Sequence, residues 1–248
     1  MLYWLMKYVV LGPLMRLLCR PEVDGLEHVP ESGGAILVSN HIAVADSFFM
    51  PLMMPRRVTF LAKREYFTGR GLKGAFKRYF FSGVGQVPID RSSGAAAQAA
   101  LDTGVRLLSE GKLLGVYPEG TRSPDGRLYK GKTGVARMAL EADVPVIPIG
   151  MEGTGRVNPI GSKMWRPHKV RIKVGPQLDF SRYEGLAGDR FVERSITDEI
   201  MYALMELSGQ EYVDVYAAKA KDESGPAASE PRRTQRSTSR RIPDSKAG

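Results

Sequence analysis

The chain is 248 residues long; 43% of its residues are hydrophobic and 25% are charged, which excludes a collagen-like, coiled-coil or wholly disordered protein. One cysteine excludes an intrachain disulfide, and three isolated histidines with that cysteine exclude a Cys/His zinc site, so we expect no metal and no redox cofactor. The formal net charge of +9 indicates an anionic partner: nucleic acid, a phosphorylated substrate or an acidic membrane surface.

The first 19 residues are mostly apolar. Lys7, Arg16 and the Gly12-Pro13 step interrupt them, which is unfavourable for a clean membrane span of about 20 residues. No basic residue precedes the apolar run and no small-residue cleavage site follows it, so the features of a signal peptide are missing. Tyr3, Trp4, Tyr8 and the nearby cations favour an interfacial or re-entrant helix in contact with a membrane over residues 1–20. The alternative is a helix that docks onto the protein core.

After a loop over residues 21–34, apolar runs alternate with segments of helical period. This alternation predicts an α/β fold, with a mixed, mostly parallel sheet covered by helices over residues 21–221. The predicted strands are 35–39, 58–62, 113–117, 144–151 and 169–174, and the predicted helices are 93–110, 132–142 and 189–207. Residues 222–248 are rich in Ser, Pro, Arg and Gly and almost free of large apolar residues, so we expect a disordered basic tail.

The excess positive charge of the body is concentrated between Arg56 and Arg78, where aromatic residues are interspersed and only Glu65 opposes the cations. The eight basic residues are Arg56, Arg57, Lys63, Arg64, Arg70, Lys73, Lys77 and Arg78. Aromatic residues among cations suit single-stranded nucleic acid, but they equally suit a membrane interface or an acidic acyl carrier. Because no nucleic-acid motif accompanies the segment, we favour membrane or donor binding and expect no nucleic-acid partner.

A histidine and a carboxylate follow the first predicted strand of the sheet. Strand 35–39 leads directly into Asn40-His41, and Asp46 lies five residues after the histidine. On one continuous helix that spacing would turn the side chains about 140° apart, so pairing requires His41 in a loop and Asp46 near a helix N-terminus. Such a carboxylate can hold one imidazole nitrogen and leave the other to take a proton from a hydroxyl group. One match of this spacing is weak evidence by itself.

A second polar cluster follows the predicted strand 113–117. It reads Pro118-Glu119-Gly120-Thr121-Arg122-Ser123 and combines a carboxylate, two hydroxyl groups and an arginine that can bind phosphate through paired hydrogen bonds. A turn with a structural Arg-Glu pair would explain the same residues. Two further apolar runs accompany it: residues 85–91, which end in Arg91, and residues 144–149.

Together, these segments resemble the four ordered sequence blocks of the glycerolipid acyltransferase family, the 1-acylglycerol-3-phosphate acyltransferases. The blocks cover residues 36–150: Asn40-His41 with Asp46, then 85–91, then 118–123, then Val144-Pro145-Val146-Ile147-Pro148. The resemblance implies acyl transfer from a coenzyme A or acyl-carrier-protein thioester to the hydroxyl of lysophosphatidic acid, at the cytoplasmic face of a membrane. It also implies that His41 is the base and Asp46 its partner. Arg91 and the loop from Glu119 through Gly120 and Thr121 to Arg122 would bind the acceptor together with Asn40, and Pro145 and Pro148 would lie near the acyl chain.

The chemistry requires little besides a base. An alcohol that attacks a thioester must lose a proton, so direct transfer needs no enzyme nucleophile, and the chain has no Gly-x-Ser-x-Gly motif. Negative charge on the thioester oxygen needs a donor, for which Lys63 is a candidate, although a solvated lysine would read the same.

Three alternatives stay open. Residues 126–133 match the Gly-x4-Gly-Lys-Thr phosphate-loop pattern of nucleotide-binding proteins, although a polar turn precedes them instead of a buried strand. A non-enzymatic basic protein is the second alternative. The third is an acyltransferase that uses glycerol 3-phosphate or another lysolipid as acceptor.

Overall fold

The computed structural model describes residues 1–64, 67–69, 71–89, 94–162 and 164–223. The strands are β1 Glu22–Asp24, β2 Ala35–Ser39, β3 Val58–Lys63, β4 Gln86–Ile89, β5 Leu113–Val116, β6 Leu128–Tyr129, β7 Val146–Glu152, β8 Arg171–Val174 and β9 Tyr212–Val213. The helices are α1 Leu2–Leu5, α2 Leu11–Cys19, α3 Asp46–Met53, α4 Gly71–Gly83, α5 Gly94–Ser109, α6 Gly134–Ala142, α7 Thr154–Val157, α8 Arg190–Ser208 and α9 Ala217–Glu223.

Within the described residues, seven strands form one sheet in the order β1-β8-β7-β2-β5-β3-β4. The five strands from β7 to β4 are parallel to one another, whereas β8 is antiparallel to β7 and carries β1 beside it in parallel. The predicted α/β fold with a mixed, mostly parallel sheet is therefore confirmed. The carboxyl ends of β2 and β5 meet at one edge of the sheet, which brings the loops that follow them together.

Two hydrophobic clusters cover the two faces of this sheet. Alternate residues of β2 divide between them, with Leu37 in one cluster and Ile36 and Val38 in the other. Helices α2 and α3 pack on the first face and helices α5, α6 and α8 on the second. We call these the α3 face and the α8 face.

The five predicted strands and three predicted helices are all present, with differences at their ends. Strand β7 begins at Val146 instead of residue 144 because the N–H of Val144 donates to Ala139, completing the end of α6. The sheet also contains an edge strand, β4, that the periodicity did not reveal, in which Pro88 is tolerated because the strand lies at the edge. The predicted tail from residue 224 onward lies outside the described residues.

The N-terminal helix runs from Leu2 to Cys19 through a π-helical segment, Met6–Val10. Its inner face packs on α3: the Tyr3 hydroxyl donates to the Pro51 carbonyl at 2.9 Å, and Lys7, only 3% exposed, donates to the Met54 carbonyl. Tyr3 and Lys7, two of the residues that favour a membrane-contacting helix in the sequence, therefore face the protein interior. Pro51 lies in the last turn of α3 and Met54 follows it, so their carbonyl groups have no partner within the helix, and these two side chains donate to them.

The outer face of the same helix is apolar and exposed. Its exposed residues are Trp4, Leu5, Tyr8, Val9, Val10, Leu14, Leu17 and Leu18. By length and composition alone, Leu2–Cys19 could cross a membrane. The docking alternative therefore describes the inner face of the helix, whereas contact of the outer face with a membrane stays a prediction.

Candidate active site

His41 and Asp46 are in direct contact at the carboxyl edge of the sheet. His41 lies in the loop after β2, and Asp46 is the first residue of α3. The imidazole Nδ1 is 2.9 Å from Asp46 Oδ2, and the same oxygen accepts the backbone N–H groups of Ile42 at 2.7 Å and Ala43 at 2.8 Å. These three contacts fix the orientation of the Asp46 carboxyl group, which is fully buried. His41 in the loop and Asp46 at the start of α3 are thus paired as the spacing of five residues predicts.

One face of the imidazole ring stacks on Tyr117, a residue for which the sequence predicts no role. The two ring centroids are 3.9 Å apart with an angle of 11° between the planes, and the Tyr117 hydroxyl is 3.2 Å from Ser47 Oγ. The His41 side chain keeps 16% of its surface exposed. The imidazole is therefore fixed in orientation with its Nε2 edge free for a ligand. The only sequence feature that points to a role for Tyr117 is its position immediately before the 118–123 block.

Glu119 does not face an incoming ligand. It is 2% exposed, and its two carboxyl oxygens accept the backbone N–H groups of His41 and Tyr129, both at 3.0 Å. Burial raises the pKa of Glu119 to about 7, against the lowering effect of those two donors. The predicted acceptor contact of Glu119 is therefore corrected. Glu119 is a positioning residue, because its side chain joins the His41 loop to the segment around β6.

The rest of the 118–123 loop passes directly beside His41. The backbone N–H of Ser123 donates to the His41 carbonyl at 2.7 Å. Gly120 has a φ of +73°, a conformation that favours glycine. The Thr121 hydroxyl accepts a hydrogen bond from Lys221 at 2.6 Å. Arg122 is half-buried and forms no ion pair with any residue that the structure describes. The acceptor-binding role of Thr121 and Arg122 stays a prediction.

Asn40 is fully buried and its amide is used within the protein. Its Oδ1 accepts the Met151 N–H at 2.8 Å, and its Nδ2 donates to the Met151 carbonyl at 3.0 Å and to Gln210 Oε1 at 2.7 Å. No donor of this amide is left for a substrate. We therefore correct the predicted acceptor contact: Asn40 fixes the end of β2 against β7, and the His41 loop with it.

The two prolines of the fourth block do not lie beside the His41 ring. Pro145 is opposite the start of β2, where its carbonyl accepts the Ile36 N–H, so the length of the strand, about 15 Å, separates it from His41. Pro148 is buried on the α8 face, against Gly175, because side chains alternate along β7. The His41 ring, stacked on Tyr117, lies on the α3 face. Neither proline is therefore placed to contact the reacting atoms at His41, and their acyl-pocket role stays a prediction.

The predicted roles of two further residues are not tested by the structure. Lys63 ends β3, and its role at the thioester oxygen stays a prediction. Arg91 lies outside the described residues, and its role as a phosphate ligand likewise stays a prediction.

The segment that matches the phosphate-loop pattern has a different structure. Strand β6 lies inside the pattern, with Leu128 and Tyr129 buried, and α6 begins only at Gly134. A phosphate loop must instead connect the end of a buried strand to a helix. Arg56, from the basic segment, also has an internal role: it donates to the carbonyls of Pro30, Gly33 and Gly111.

These features define an α/β protein with a carboxylate-held histidine at the carboxyl edge of its sheet and an arginine loop beside it. A family model described as Acyltransferase matches residues 20–152, which is more than half of the chain. The chain belongs to this acyltransferase family.

Similar proteins carry a more specific name. A 1-acyl-sn-glycerol-3-phosphate acyltransferase from Limnanthes alba is 33% identical over 159 residues, 64% of this chain and 54% of its own length. The mouse enzyme named 1-acyl-sn-glycerol-3-phosphate acyltransferase alpha is 34% identical over 193 residues, 76% of this chain and 63% of its own. The crystal structure of the 1-acyl-sn-glycerophosphate (LPA) acyltransferase PlsC from Thermotoga maritima matches with a TM-score of 0.60 and 25% identity, covering 80% of this chain and 79% of that one. The chain spans about half the length of curated relatives such as the Limnanthes enzyme.

Proposed function

We propose that the protein transfers a fatty acyl group from an acyl thioester to the free hydroxyl of lysophosphatidic acid, giving phosphatidic acid for phospholipid synthesis. The observation that carries the proposal is the 2.9 Å contact between His41 Nδ1 and Asp46 Oδ2, with the imidazole open on its other side. The relatives named 1-acyl-sn-glycerol-3-phosphate acyltransferases support the choice of acceptor.

His41 acts as a general base in this proposal. Asp46 accepts the Nδ1–H, so the neutral imidazole presents Nε2 as an acceptor. Nε2 takes the proton of the acceptor hydroxyl while the hydroxyl oxygen forms a bond to the thioester carbonyl carbon. The tetrahedral intermediate then breaks its carbon–sulfur bond, the imidazolium returns the proton to the leaving thiolate, and an ester and a free thiol result. Buried Asp46 stabilises the transient imidazolium, and Tyr117 limits the ring to one orientation.

Arg122 is the group proposed to bind the acceptor phosphate, together with Arg91. Arg122 has no carboxylate partner among the described residues. It lies in the loop between Glu119 and Ser123, both of which hydrogen-bond to the backbone of His41. A guanidinium group can hold two phosphate oxygens at once. The phosphate and the reacting hydroxyl lie on adjacent carbons of lysophosphatidic acid, so a phosphate site close to the base is what this acceptor requires.

The membrane supplies the acceptor in this proposal. The exposed apolar face of the helix Leu2–Cys19 is suited to lie in the cytoplasmic surface of a bilayer, which would make the protein peripheral or monotopic. Cations of α4, such as Arg78, would contact lipid phosphates or an acidic acyl carrier. Acyl-coenzyme A and acyl-carrier protein both remain candidate donors.

A panel of acceptors and donors tests the proposal. Purified protein is incubated with lysophosphatidic acid, glycerol 3-phosphate and lysophospholipids that carry a head group, each with acyl-coenzyme A and with acyl-carrier protein, and the products are identified by mass spectrometry. We expect phosphatidic acid as the main product. A product only from glycerol 3-phosphate or from another lysolipid would support the same chemistry with the alternative acceptor, and no acylated product would contradict the proposal.

A further inference from the structure

Lys221, on helix α9, lies outside the four sequence blocks and outside the matched family region, yet it contacts the acceptor loop. Its Nζ donates to Thr121 Oγ1 at 2.6 Å, across 100 residues of sequence. Helix α9 is anchored there by the fully buried Ala217. The preceding strand β9 pairs with β6 in the segment that Glu119 holds through the Tyr129 N–H. The position of Lys221 is therefore built into the fold.

The hydrogen-bonding capacity of this group is only partly used. An ammonium group has three donors, of which one is directed at Thr121. The Thr121 hydroxyl accepts that bond and so keeps its own hydrogen available for donation. Lys221 forms no ion pair with a carboxylate of any described residue, and neither does the neighbouring Arg122. The loop that holds the Thr121 hydroxyl and Arg122 is thus contacted by Lys221, and neither cation has a carboxylate partner among the described residues.

The charges around Lys221 also favour a bound anion. Burial and the positive charge of Arg122 both lower the pKa of Lys221, while Glu119 raises it. Glu119 cannot compensate the two cations by direct contact, since its oxygens point at the His41 and Tyr129 N–H groups. An anion bound between Lys221 and Arg122 would relieve their repulsion.

We infer that Lys221, Thr121 and Arg122 form the binding site for the phosphate of the acceptor and that Lys221 selects a phosphomonoester over a phosphodiester. The inference rests on the proposed function and specifies the acceptor class. A phosphomonoester carries a charge of about −1.5 to −2 at pH 7, which two cations match, whereas a phosphodiester carries only about −1. The coenzyme A donor also contains phosphates, but the loop is hydrogen-bonded to His41 at Glu119 and Ser123, next to the place where the acceptor hydroxyl must lie.

The first test is kinetic and uses the full chain. Lys221→Gln removes the charge but keeps a polar side chain, and Lys219→Gln makes the same change in charge on an exposed position of the same helix. We expect Lys221→Gln to raise the KM for lysophosphatidic acid about 10- to 100-fold, with the KM for the acyl thioester unchanged, because a charge-assisted hydrogen bond is lost. Lys221→Arg should restore most of the acceptor affinity. A Lys221→Gln acceptor KM equal to that of Lys219→Gln, or a change confined to the donor KM, would overturn the inference.

The second test does not depend on acyltransferase activity. Calorimetric titration measures the affinity of the wild-type protein and both variants for glycerol 3-phosphate, a monoester, and for glycerophosphoglycerol, a diester. We expect the wild type to bind the monoester more tightly and Lys221→Gln to lose that preference, while Lys219→Gln keeps it. Equal affinities of the wild type for both probes would refute the selectivity even if the enzyme is active. If the protein binds the monoester selectively but shows no acyltransferase activity, the phosphate-site inference stands and only the proposed function is refuted.

Discussion

The carboxyl group of Glu119 accepts the backbone N–H of His41 at 3.0 Å, and its second oxygen accepts the Tyr129 N–H at the same distance. Glu119, which the sequence suggests as a substrate ligand, thus holds the loop that carries His41. Two consequences can be measured, one for the amide analogue and one for pH.

Glu119→Gln should reduce both stability and activity. The amide places an NH2 group where one carboxyl oxygen accepts an N–H, so a buried donor loses its partner at a cost of about 1–3 kcal/mol. We expect a lower melting temperature and a kcat/KM reduced about 10-fold or more through a displaced His41. The control is Glu141→Gln on α6, where the carboxylate pairs with Arg137 and with no other cation that the structure describes. Equal melting temperatures and equal kcat/KM for the two variants would contradict the positioning role.

The stability of the protein should fall as pH rises from about 4.5 to 7. Burial raises the folded-state pKa of Glu119 to about 7 from its ordinary value of 4.5. Between these values the folded protein binds one proton more than the unfolded chain, so the free energy of unfolding decreases with pH, by at most about 3 kcal/mol for this group. Urea unfolding at pH 5 and pH 7.5 measures the change. We expect a smaller decrease in Glu119→Gln, which has no proton to lose there; an identical pH dependence in both proteins would show that Glu119 does not titrate in this range.

Arg122→Ala should weaken acceptor use more than donor use. The half-buried guanidinium lies on the loop that contacts His41, and we expect the acceptor KM to rise about 10-fold or more with little change in the donor KM. Arg122→Lys should restore only part of the loss, because an ammonium group cannot form paired hydrogen bonds to two phosphate oxygens. Arg91→Ala is expected to behave in the same way, and Arg106→Ala, on the exposed surface of α5, serves as control. Unchanged acceptor kinetics in both Arg91→Ala and Arg122→Ala would remove the phosphate assignment.

Membrane binding should depend on the outer face of the N-terminal helix and not on the basic tail. The double substitution Val9→Gln and Leu17→Gln changes exposed side chains, 65% and 75% accessible, and leaves the docked Tyr3 and Lys7 in place. We expect it to reduce flotation with anionic liposomes without lowering the melting temperature. Deletion of residues 1–19 should also release the protein, but it removes the contacts with α3 as well, so the double substitution is the cleaner experiment.

Two further proteins complete the flotation experiment. Phe191→Gln changes an exposed apolar residue of α8, a helix on the other face of the sheet, and should float like the wild type. Truncation after Asp222 removes the basic tail, whose charge is screened in physiological salt, and should also have little effect. Full flotation of the Val9/Leu17 variant, or loss of flotation on truncation, would show that the membrane contact lies elsewhere.

The sequence predicts the central strands and the His41–Asp46 pair because both depend on local pattern. Strand 35–39 is a continuous apolar run, and the only arrangement in which a spacing of five brings the two side chains together is a loop followed by a helix start. The long-range contacts are not predictable in this way. The inward orientation of Glu119, the saturated amide of Asn40 and the stacking of Tyr117 on His41 depend on how distant strands are ordered in the sheet.

Other features depend on long-range contacts in the same way. Lys7 reads as a cation at a membrane surface, but the orientation of the helix and the carbonyl groups near Pro51 and Met54 place it inside the protein. Pro145 and Pro148 belong to one sequence block, yet strand direction and side-chain alternation separate them from His41. Lys221 carries no motif and contacts the site only through the fold.

The most direct test of the account is the turnover of His41→Ala in an assay that identifies phosphatidic acid by mass. A lost general base that also orients the acceptor reduces kcat by about 10²- to 10⁴-fold or more, with the circular dichroism spectrum and melting temperature retained. Asp46→Asn should cause a similar loss, and His168→Ala, a histidine outside the site, should retain full activity. Near wild-type turnover by His41→Ala, with the product confirmed by mass, would contradict the mechanism.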